Sequence, residues 1–407
     1  MSDIHIGAFR QDELKEPLME AFETAIDVCL ERGIDFVVMA GDIFDSNIPD
    51  LQSVKRAVAK IRSAVERGVR FYVVYGSHDF SPNYASIVDV LESAGLFKKV
   101  DLTERTGDRL HLRFLRDPTG AKLCGLSGKR LSLDREDYAS LEASELSAEA
   151  GFKIFVFHGA IEELKPSGLS EMGAMPAAML PEGFNYYAGG HVHARSLTSL
   201  PGRPNIAYPG PLFGGDYRDL EPVARGEKRG MYIVEFEDEV KAVDFVPVTT
   251  CEIVEFQFDA GGMNPLEAGR ELRQLAGSWE VNSRIVLLRV YGELSGGKTT
   301  ELDISTVRKE LMERGARYIL VNSNQLTSKE MKIVEARRSK AETEEELFGQ
   351  QIKSVKVSRP ELKGDAGVRL SIDLLRSLRE SRRENETKGD YEERITKAGS
   401  AVLGLDK

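Results

Sequence analysis

Apolar residues along the first 250 positions fall alternately into helix-like and strand-like groups. Leu18, Phe22, Ala25, Ile26 and Cys29 recur at the spacing of one helix face, Gly33 supplies a stop, and the run Phe36 to Met39 follows as a strand ending at Gly41-Asp42. A second helix face, Val54, Val58, Ile61 and Val65, leads to the strand-like run Phe71 to Tyr75 and then to Gly76-Ser77-His78-Asp79. The runs Ile154 to Phe157 and Asn185 to Ala188 end in the same way, at His158 and at Gly190-His191. Helix and strand in alternation predict an α/β fold, and open α/β sheets gather their functional groups beyond the C-terminal ends of the strands.

From about Cys251 the pattern changes. Val254, Phe256 and Phe258 alternate with Glu255 and Gln257, Ile285 to Val290 reads as a buried strand, Val307 and Leu311 mark a helix, and Arg317 to Val321 is a further strand. These predict a small α+β domain over 251–330, after a first domain over 1–250. Residues 331–346, ending in Glu344-Glu345-Glu346, are polar and read as a linker or solvated helix. Residues 347–407 carry two amphipathic stretches. The first holds Val368, Ile372, Leu374, Leu375 and Leu378; the second is the narrow seam Tyr391, Ile395, Ala398, Val402 and Leu405.

A length of 407 residues calls for more than one core, and 41% apolar with 30% charged residues is the balance of a globular chain. No apolar run approaches a membrane span, no signal-peptide pattern opens the chain, and three scattered cysteines without a Cys-x-x-Cys pair fit a reducing compartment. The expected location is therefore the cytoplasm. A net charge of -11 excludes a protein that coats nucleic acid through bulk basicity. The acidity is concentrated: residues 331–407 carry 17 basic and 15 acidic side chains, residues 1–330 carry 38 and 51.

Five of the six histidines lie in short motifs placed just after the apolar runs: Asp3-Ile4-His5, Gly76-Ser77-His78-Asp79, Phe157-His158-Gly159 and Gly190-His191-Val192-His193, with Gly41-Asp42 between the first two. Imidazole and carboxylate suit Mn, Fe or Zn. Two divalent ions roughly 3.5 to 4 Å apart need a bridging carboxylate and several further ligands on each side. Asp-x-His, a lone Asp and His-x-His supply that set. Any one of these motifs arises by chance, but the ordered set points to a metal site. His111, outside every motif, reads as structural.

The motif order resembles that of the calcineurin-like metallophosphoesterases. Ser2-Asp3-Ile4-His5-Ile6-Gly7, Gly41-Asp42-Ile43-Phe44, the stretch Leu180 to Tyr187 and Ala207-Tyr208-Pro209-Gly210 are similar to the archaeal meiotic recombination eleven nucleases, called SbcD in bacteria. The resemblance implies a four-layer αββα sandwich over 1–250, a DNA-capping domain over 251–330 and a helical segment over 347–407. It implies two metal ions, with Mn2+ expected. Asp3, His5, Asp42 and His193 would hold one, and Asp42, Ser77, His158 and His191 the other. His78, oriented by Asp79, would be the general acid, and a metal-bound hydroxide the nucleophile attacking the phosphodiester. The implied activities are single-strand endonuclease and 3′-5′ double-strand exonuclease in DNA double-strand-break repair, with an SMC-like ABC-type ATPase (SbcC-type, coiled-coil) as partner. Arg10, Lys129, Arg130, Arg195 and Arg218 are candidate DNA contacts. A phosphoesterase for small nucleotides or phosphoproteins, and a DNA-tethering scaffold with weakened catalysis, are the alternatives.

Three positions depart from the family pattern. Ser77 stands where Asn is usual, and a hydroxyl is a shorter and weaker ligand than an amide oxygen. Asp45 stands where many of these nucleases carry a second active-site His, which bears on exonuclease more than on endonuclease activity. Met1 lies only two residues before Asp3, where the family has a full strand; either the natural start lies upstream, the favoured expectation, or the sheet lacks a strand. The stretch Gly292 to Thr299 fits the phosphate-loop pattern, yet Asp303 reads as the N-cap of a later helix and the glycines as a hairpin. The faces Val54, Val58, Ile61 and Ile87, Val90, Leu91 either pack on the sheet or form the family's homodimer bundle. The C-terminal stretches read as the ATPase-binding segment, against a disordered tail.

Overall fold

The structure, a computed structural model, describes residues 1–81, 85–128, 134–166, 173–329, 347–349, 352, 362–381, 383 and 388–403. The expected linker 331–346, the candidate DNA contacts Lys129 and Arg130, and Leu405 of the C-terminal seam lie outside the described residues. The described residues group into two compact units. The first comprises Met1–Asp259, Arg270–Tyr291 and Ile304–Gln325; the second comprises Ala260–Gly269, Gly292–Asp303 and Leu326–Lys407.

In the first unit, β1 (Phe36–Ala40), β2 (Arg70–Val74) and the short β3 (Lys98–Lys99) form a parallel sheet. A second sheet is built from β4 (Leu115–Arg116), β5 (Lys122–Leu126), β6 (Lys153–His158), β7 (Tyr186–Gly190), β8 (Ser196–Leu200) and β9 (Arg203–Tyr208), in the order β8-β9-β7-β6-β5-β4. Its central pairs are parallel, and β8 and β4 close the edges antiparallel. Helices α1 (Asp12–Glu31), α2 (Leu51–Glu66) and α3 (Ile87–Ser93) lie against the first sheet.

The two-residue period of a strand sends successive side chains to opposite faces, and here both faces are buried. Val37, Met39, Phe71 and Val73 enter a core with Phe22, Ile26 and Ile61 of the helices. Their neighbours Ala40, Tyr72 and Val74 meet Ile154, Val156, Tyr186 and Ala188 in a second core between the sheets. Phe155, Phe157 and Tyr187 enter a third, beyond the second sheet. Three cores separated by two sheets are what a layered α/β sandwich requires. The helices start where local chemistry allows: Asp50 caps α2 by accepting the N–H groups of Gln52 and Ser53, and Ser86 with Asp89 makes a capping box for α3.

Residues 1–6 run beside β1 and the chain that follows it. The Met1 amino group donates to the carbonyl of Val38, and Asp3, His5 and Ile6 donate to Gly41, Asp42 and Ile43. A cavity of about 810 Å3 continues along β1, lined by Phe36, Val38, Phe152, Ile154, Tyr232 and Val234. Of the two amphipathic faces, Val54, Ile61 and Leu91 are buried and Val90 stands exposed, as do Ile48 and Leu51 before and at the start of α2.

The hairpin of β10 (Gly230–Phe236) and β11 (Val240–Pro247) follows helix α4 (Tyr217–Ala224). Next come β12 (Ile253–Asp259), helix α5 (Pro265–Ala276), β13 (Ile285–Leu294), helix α6 (Ile304–Glu313) and β14 (Tyr318–Ser328). The strands form a sheet in the order β12-β13-β14. Ile253, Ile285, Leu287 and Tyr318 of this sheet join the first core.

In the second unit, two backbone donors of the phosphate-loop-like stretch are engaged within the protein: Ser295 N–H donates to the carbonyl of Met263, and Lys298 N–H to the Glu301 carboxylate. A short 3-10 turn at Thr299–Glu301 follows, and the α-helix begins only at Ile304, as the Asp303 signal implied. Helices α7 (Gly364–Leu378) and α8 (Lys388–Val402) pack on one another, with Gly399 against Leu374 and Leu378 and an ion pair between Arg394 and Glu380 at 2.6 Å.

Candidate metal centre

The candidate site residues from Asp42 onward lie at or beyond the C-terminal ends of parallel strands. Asp42 follows β1, Ser77, His78 and Asp79 follow β2, His158 is the last residue of β6, and His191 and His193 follow β7. Asp3 and His5 are brought beside them by the backbone bonds to Gly41 and Asp42. Three overlapping groups result, each with its ligand atoms within 4.8 Å: Asp3, His5 and His193; His5, Asp42 and His78; and Asp42, His158 and His191. Asp42 belongs to two of them, the place of a bridging carboxylate. The Ser77 hydroxyl donates to Asp42 Oδ2 at 3.4 Å, so the expected fourth member of the last group stands at its edge.

The backbone here is unusual. Asp3, His5, Asp42 and His191 all have positive φ, between 49° and 84°, although none is glycine. Such conformations cluster where function over-determines geometry. Two neighbouring glycines are required sterically. A Cβ on Gly76 would lie 2.1 Å from Asp42 Oδ1, and one on Gly190 would lie 2.0 Å from the Ala40 carbonyl and 2.7 Å from His158 Nδ1.

The electrostatics fit a cation. His158 Nδ1–H donates to the Ala40 carbonyl at 2.8 Å, which leaves Nε2 as the free nitrogen, 3.2 Å from Asp42 Oδ2. Nε2 of His158 and Nδ1 of His5 are buried with no hydrogen-bond partner. Burial would lower the His158 pKa, but the charge of Asp42 outweighs it and carries the imidazole up to about 10. Burial likewise opposes the charge on His5, yet Asp45, Asp42 and Asp3 raise it to about 9. Burial, seconded by the charge on His158, pushes His191 down to about 4. Asp42 resists the upward pull of burial through His158 and stays well below the usual carboxylate range. Buried carboxylates facing imidazoles with unpartnered nitrogens are a borderline N/O donor set of the kind that holds Mn, Fe or Zn, so the residues fit a divalent cation.

His78 stands at the rim with its side chain 43% exposed. Its orienting partner is not Asp79. The His78 Nδ1–H donates to the backbone carbonyl of Asp45 at 2.7 Å, which aims Nε2 as the free nitrogen. Asp79 is fully buried and accepts the N–H groups of Ile43, Phe44 and Gly76 at 3.0 to 3.1 Å, stitching together the chain ends after β1 and β2. Three orphan donors at strand ends attract a carboxylate more strongly than one imidazole does. Burial and the charge of Asp42 raise Asp79 to about 6 against those donors.

Sequence reasoning missed Asp219 on α4 and Arg229, both buried, and both in contact with His193. Nothing local distinguishes Asp219 from Asp216, which caps the same helix. His111 pairs with Glu145 at 2.9 Å, outside the cluster, as expected. Of the candidate DNA contacts, Arg195 stacks over Phe245 at 4.0 Å and Arg218 pairs with Asp216 at 3.0 Å.

Residues 1–195 match the family described as calcineurin-like phosphoesterase. The chain is similar to the DNA double-strand break repair protein Mre11 of Methanopyrus kandleri, 26% identical over 397 residues, 93% of this chain and 82% of that protein. It is similar to the proteins of the same name from Archaeoglobus fulgidus, 25% identical over 66% of this chain, and Methanococcus maripaludis, 26% identical over 49%. The chain spans 62% and 52% of the length of these last two.

Proposed function

We propose that residues 1–195, which match the calcineurin-like phosphoesterase family, act as a hydrolase of phosphate esters, and that the chain is a metal-dependent DNA nuclease of double-strand-break repair. The observation that carries the two-ion reading is the position of Asp42 within both the His5 and the His158–His191 groups. Asp3, His5, Asp42 and His193 would hold one ion, and Asp42, Ser77, His158 and His191 the other. When bound, two divalent ions, with Mn2+ the expected metal, supply Lewis-acid polarisation of the phosphodiester and ionise the attacking water. His78 would contact the phosphate and, as the imidazolium, pass its Nε2 proton to the departing 3′ oxygen, ending as the neutral Nδ1–H tautomer that the Asp45 carbonyl holds in place.

The reading extends to DNA held by a capping region over 251–330 and to single-strand endonuclease and 3′-5′ double-strand exonuclease activities. Its partners are a second copy meeting the exposed Ile48, Leu51 and Val90, and an SMC-like ATPase gripping the α7–α8 segment. Among the described residues no helix is long and apolar enough to cross a membrane, and a DNA-bound place in the cytoplasm is the expected location.

The test is Mn2+-dependent digestion of single- and double-stranded DNA by the wild type, Asp42→Ala and His78→Ala. Both variants should lose activity by at least about a hundredfold, with His78→Ala keeping its metal. Equal activity in all three sinks the nuclease reading; cleavage of small phosphodiesters alone favours a nucleotide phosphoesterase.

A further inference from the structure

We infer that Asp219 is a positioning residue for the metal ligand His193, and that it makes the Asp3–His5–His193 group the tighter of the two metal sites. The inference rests on the two-ion reading above. His193 sits in the loop after β7, with its ring about one-third exposed, so its own chain does little to hold it. Asp219 reaches it from α4. Its Oδ1 accepts the His193 Nδ1–H at 2.6 Å, and its Oδ2 accepts the Gly215 N–H at 2.7 Å. Both oxygens of the carboxylate are thus engaged.

The backbone is tied as well. Arg229, 5% exposed, donates through Nη1 to the His193 carbonyl at 2.6 Å and through Nη2 to the Asp219 carbonyl at 2.8 Å. One guanidinium thus clamps the two main chains while the carboxylate clamps the ring. The helix that carries Asp219 is itself fixed at its N-cap by Asp216, and Arg225 and Glu221 pair with Glu255 of β12 and Arg289 of β13.

The chemical consequence concerns which nitrogen faces the ion. A proton held at Nδ1 by Asp219 leaves the Nε2 lone pair pointing to Asp3 Oδ1, 3.8 Å away, and His5 Nε2, 3.3 Å away. His158, in the other group, leans its Nδ1–H on the neutral carbonyl of Ala40. An imidazole hydrogen-bonded to a carboxylate is the more basic donor, and removing such an outer partner typically costs about 10- to 100-fold in metal affinity. The second group has no such support for His158, and Ser77 stands only at its edge. Unequal loading follows from this difference.

Mn2+ binding to the full chain, counted from the electron paramagnetic resonance signal of the free ion, tests this without turnover. The wild type should bind two ions with distinct affinities. In Asp219→Ala the tighter should weaken by about 10- to 100-fold while the weaker stays within about twofold. Asp219→Asn, whose amide oxygen still accepts the Nδ1–H without the charge, should fall between, and its melting temperature in EDTA verifies folding if the alanine variant does not fold. Two sites unchanged in Asp219→Asn and Asp219→Ala, or both weakened alike, overturn the positioning role. A wild type that binds no Mn2+ overturns the two-ion reading itself, whatever the variants do.

Discussion

The Nε2 atoms of His5 and His193 lie 3.3 Å apart, within hydrogen-bond distance. Because Asp219 holds the His193 proton at Nδ1, the facing nitrogen of His193 offers a lone pair. His5 can meet that lone pair only with a proton of its own, or both can share a cation. Proton and metal therefore compete for one small space.

That competition sets the pH response. His5 and His158 are raised from 6.5 to about 9 and about 10 when no metal is bound. Below about 6.5 the groups are charged in folded and unfolded chains alike, and their full stabilising contribution is present; it is lost as pH rises through 9 to 10. Melting temperature in EDTA should fall between pH 7 and 10, read by calorimetry. A flat profile would mean that the imidazoles are neutral. Mn2+ affinity should run the opposite way, weakening on acidification, with protons released on loading.

Gly76→Ala should be among the most damaging single-methyl changes in the chain, since its Cβ would lie 2.1 Å from Asp42 Oδ1 and 2.2 Å from the Asp42 nitrogen. We expect a loss of at least about 2 kcal/mol in urea denaturation, with metal binding impaired. Gly269→Ala in α5, where the nearest atom outside the helix is 3.8 Å away, is the control and should stabilise by about 0.5–1 kcal/mol.

Ser77→Asn supplies a longer oxygen ligand at the edge of the Asp42–His158–His191 group. Affinity for the weaker Mn2+ should rise by about tenfold, of the order seen for single supporting groups at metal sites. No change in the binding isotherm would remove position 77 from the ligand set.

Asp45 places a carboxylate oxygen 3.4 Å from His5 Nδ1 and 3.7 Å from His78 Nδ1, with its side chain 37% exposed. Asp45→Asn removes a negative charge beside His5 and His78, worth about 1 kcal/mol against an anionic substrate in water-like surroundings and hence about fivefold. Digestion of duplex ends should gain by that factor relative to internal cutting of single strands. An unchanged ratio would clear Asp45 of setting the preference.

The strand ends were legible because an apolar run bounded by Gly and a ligand is a local signal. The runs read at Phe36, Phe71, Ile154 and Asn185 correspond to β1, β2, β6 and β7 within a residue or two at either end. Contacts made across the fold were not legible. Asp79 adjoins His78 in sequence, but the turn sends its carboxylate to the chain after β1. Asp219 is 26 residues from His193, and only the packing of α4 brings them together. The helix faces showed their apolar stripes without showing that Val90, 55% exposed, would be left outside while Val54, Ile61 and Leu91 turned inward. Nor does an apolar strand record which core it will enter: Ile285 and Leu287 of β13 complete the core of the first sheet.

The left-handed backbone at Asp3, His5, Asp42 and His191 sets folding against function within single residues. Each such conformation stores about 1–3 kcal/mol that glycine would not. The side chains that would bind metal are thus the ones the fold holds at a cost. A screen of this protein for heat resistance alone, in the presence of chelator, would tend to enrich glycine at these four positions, and the hardiest survivors would be the least able to cut.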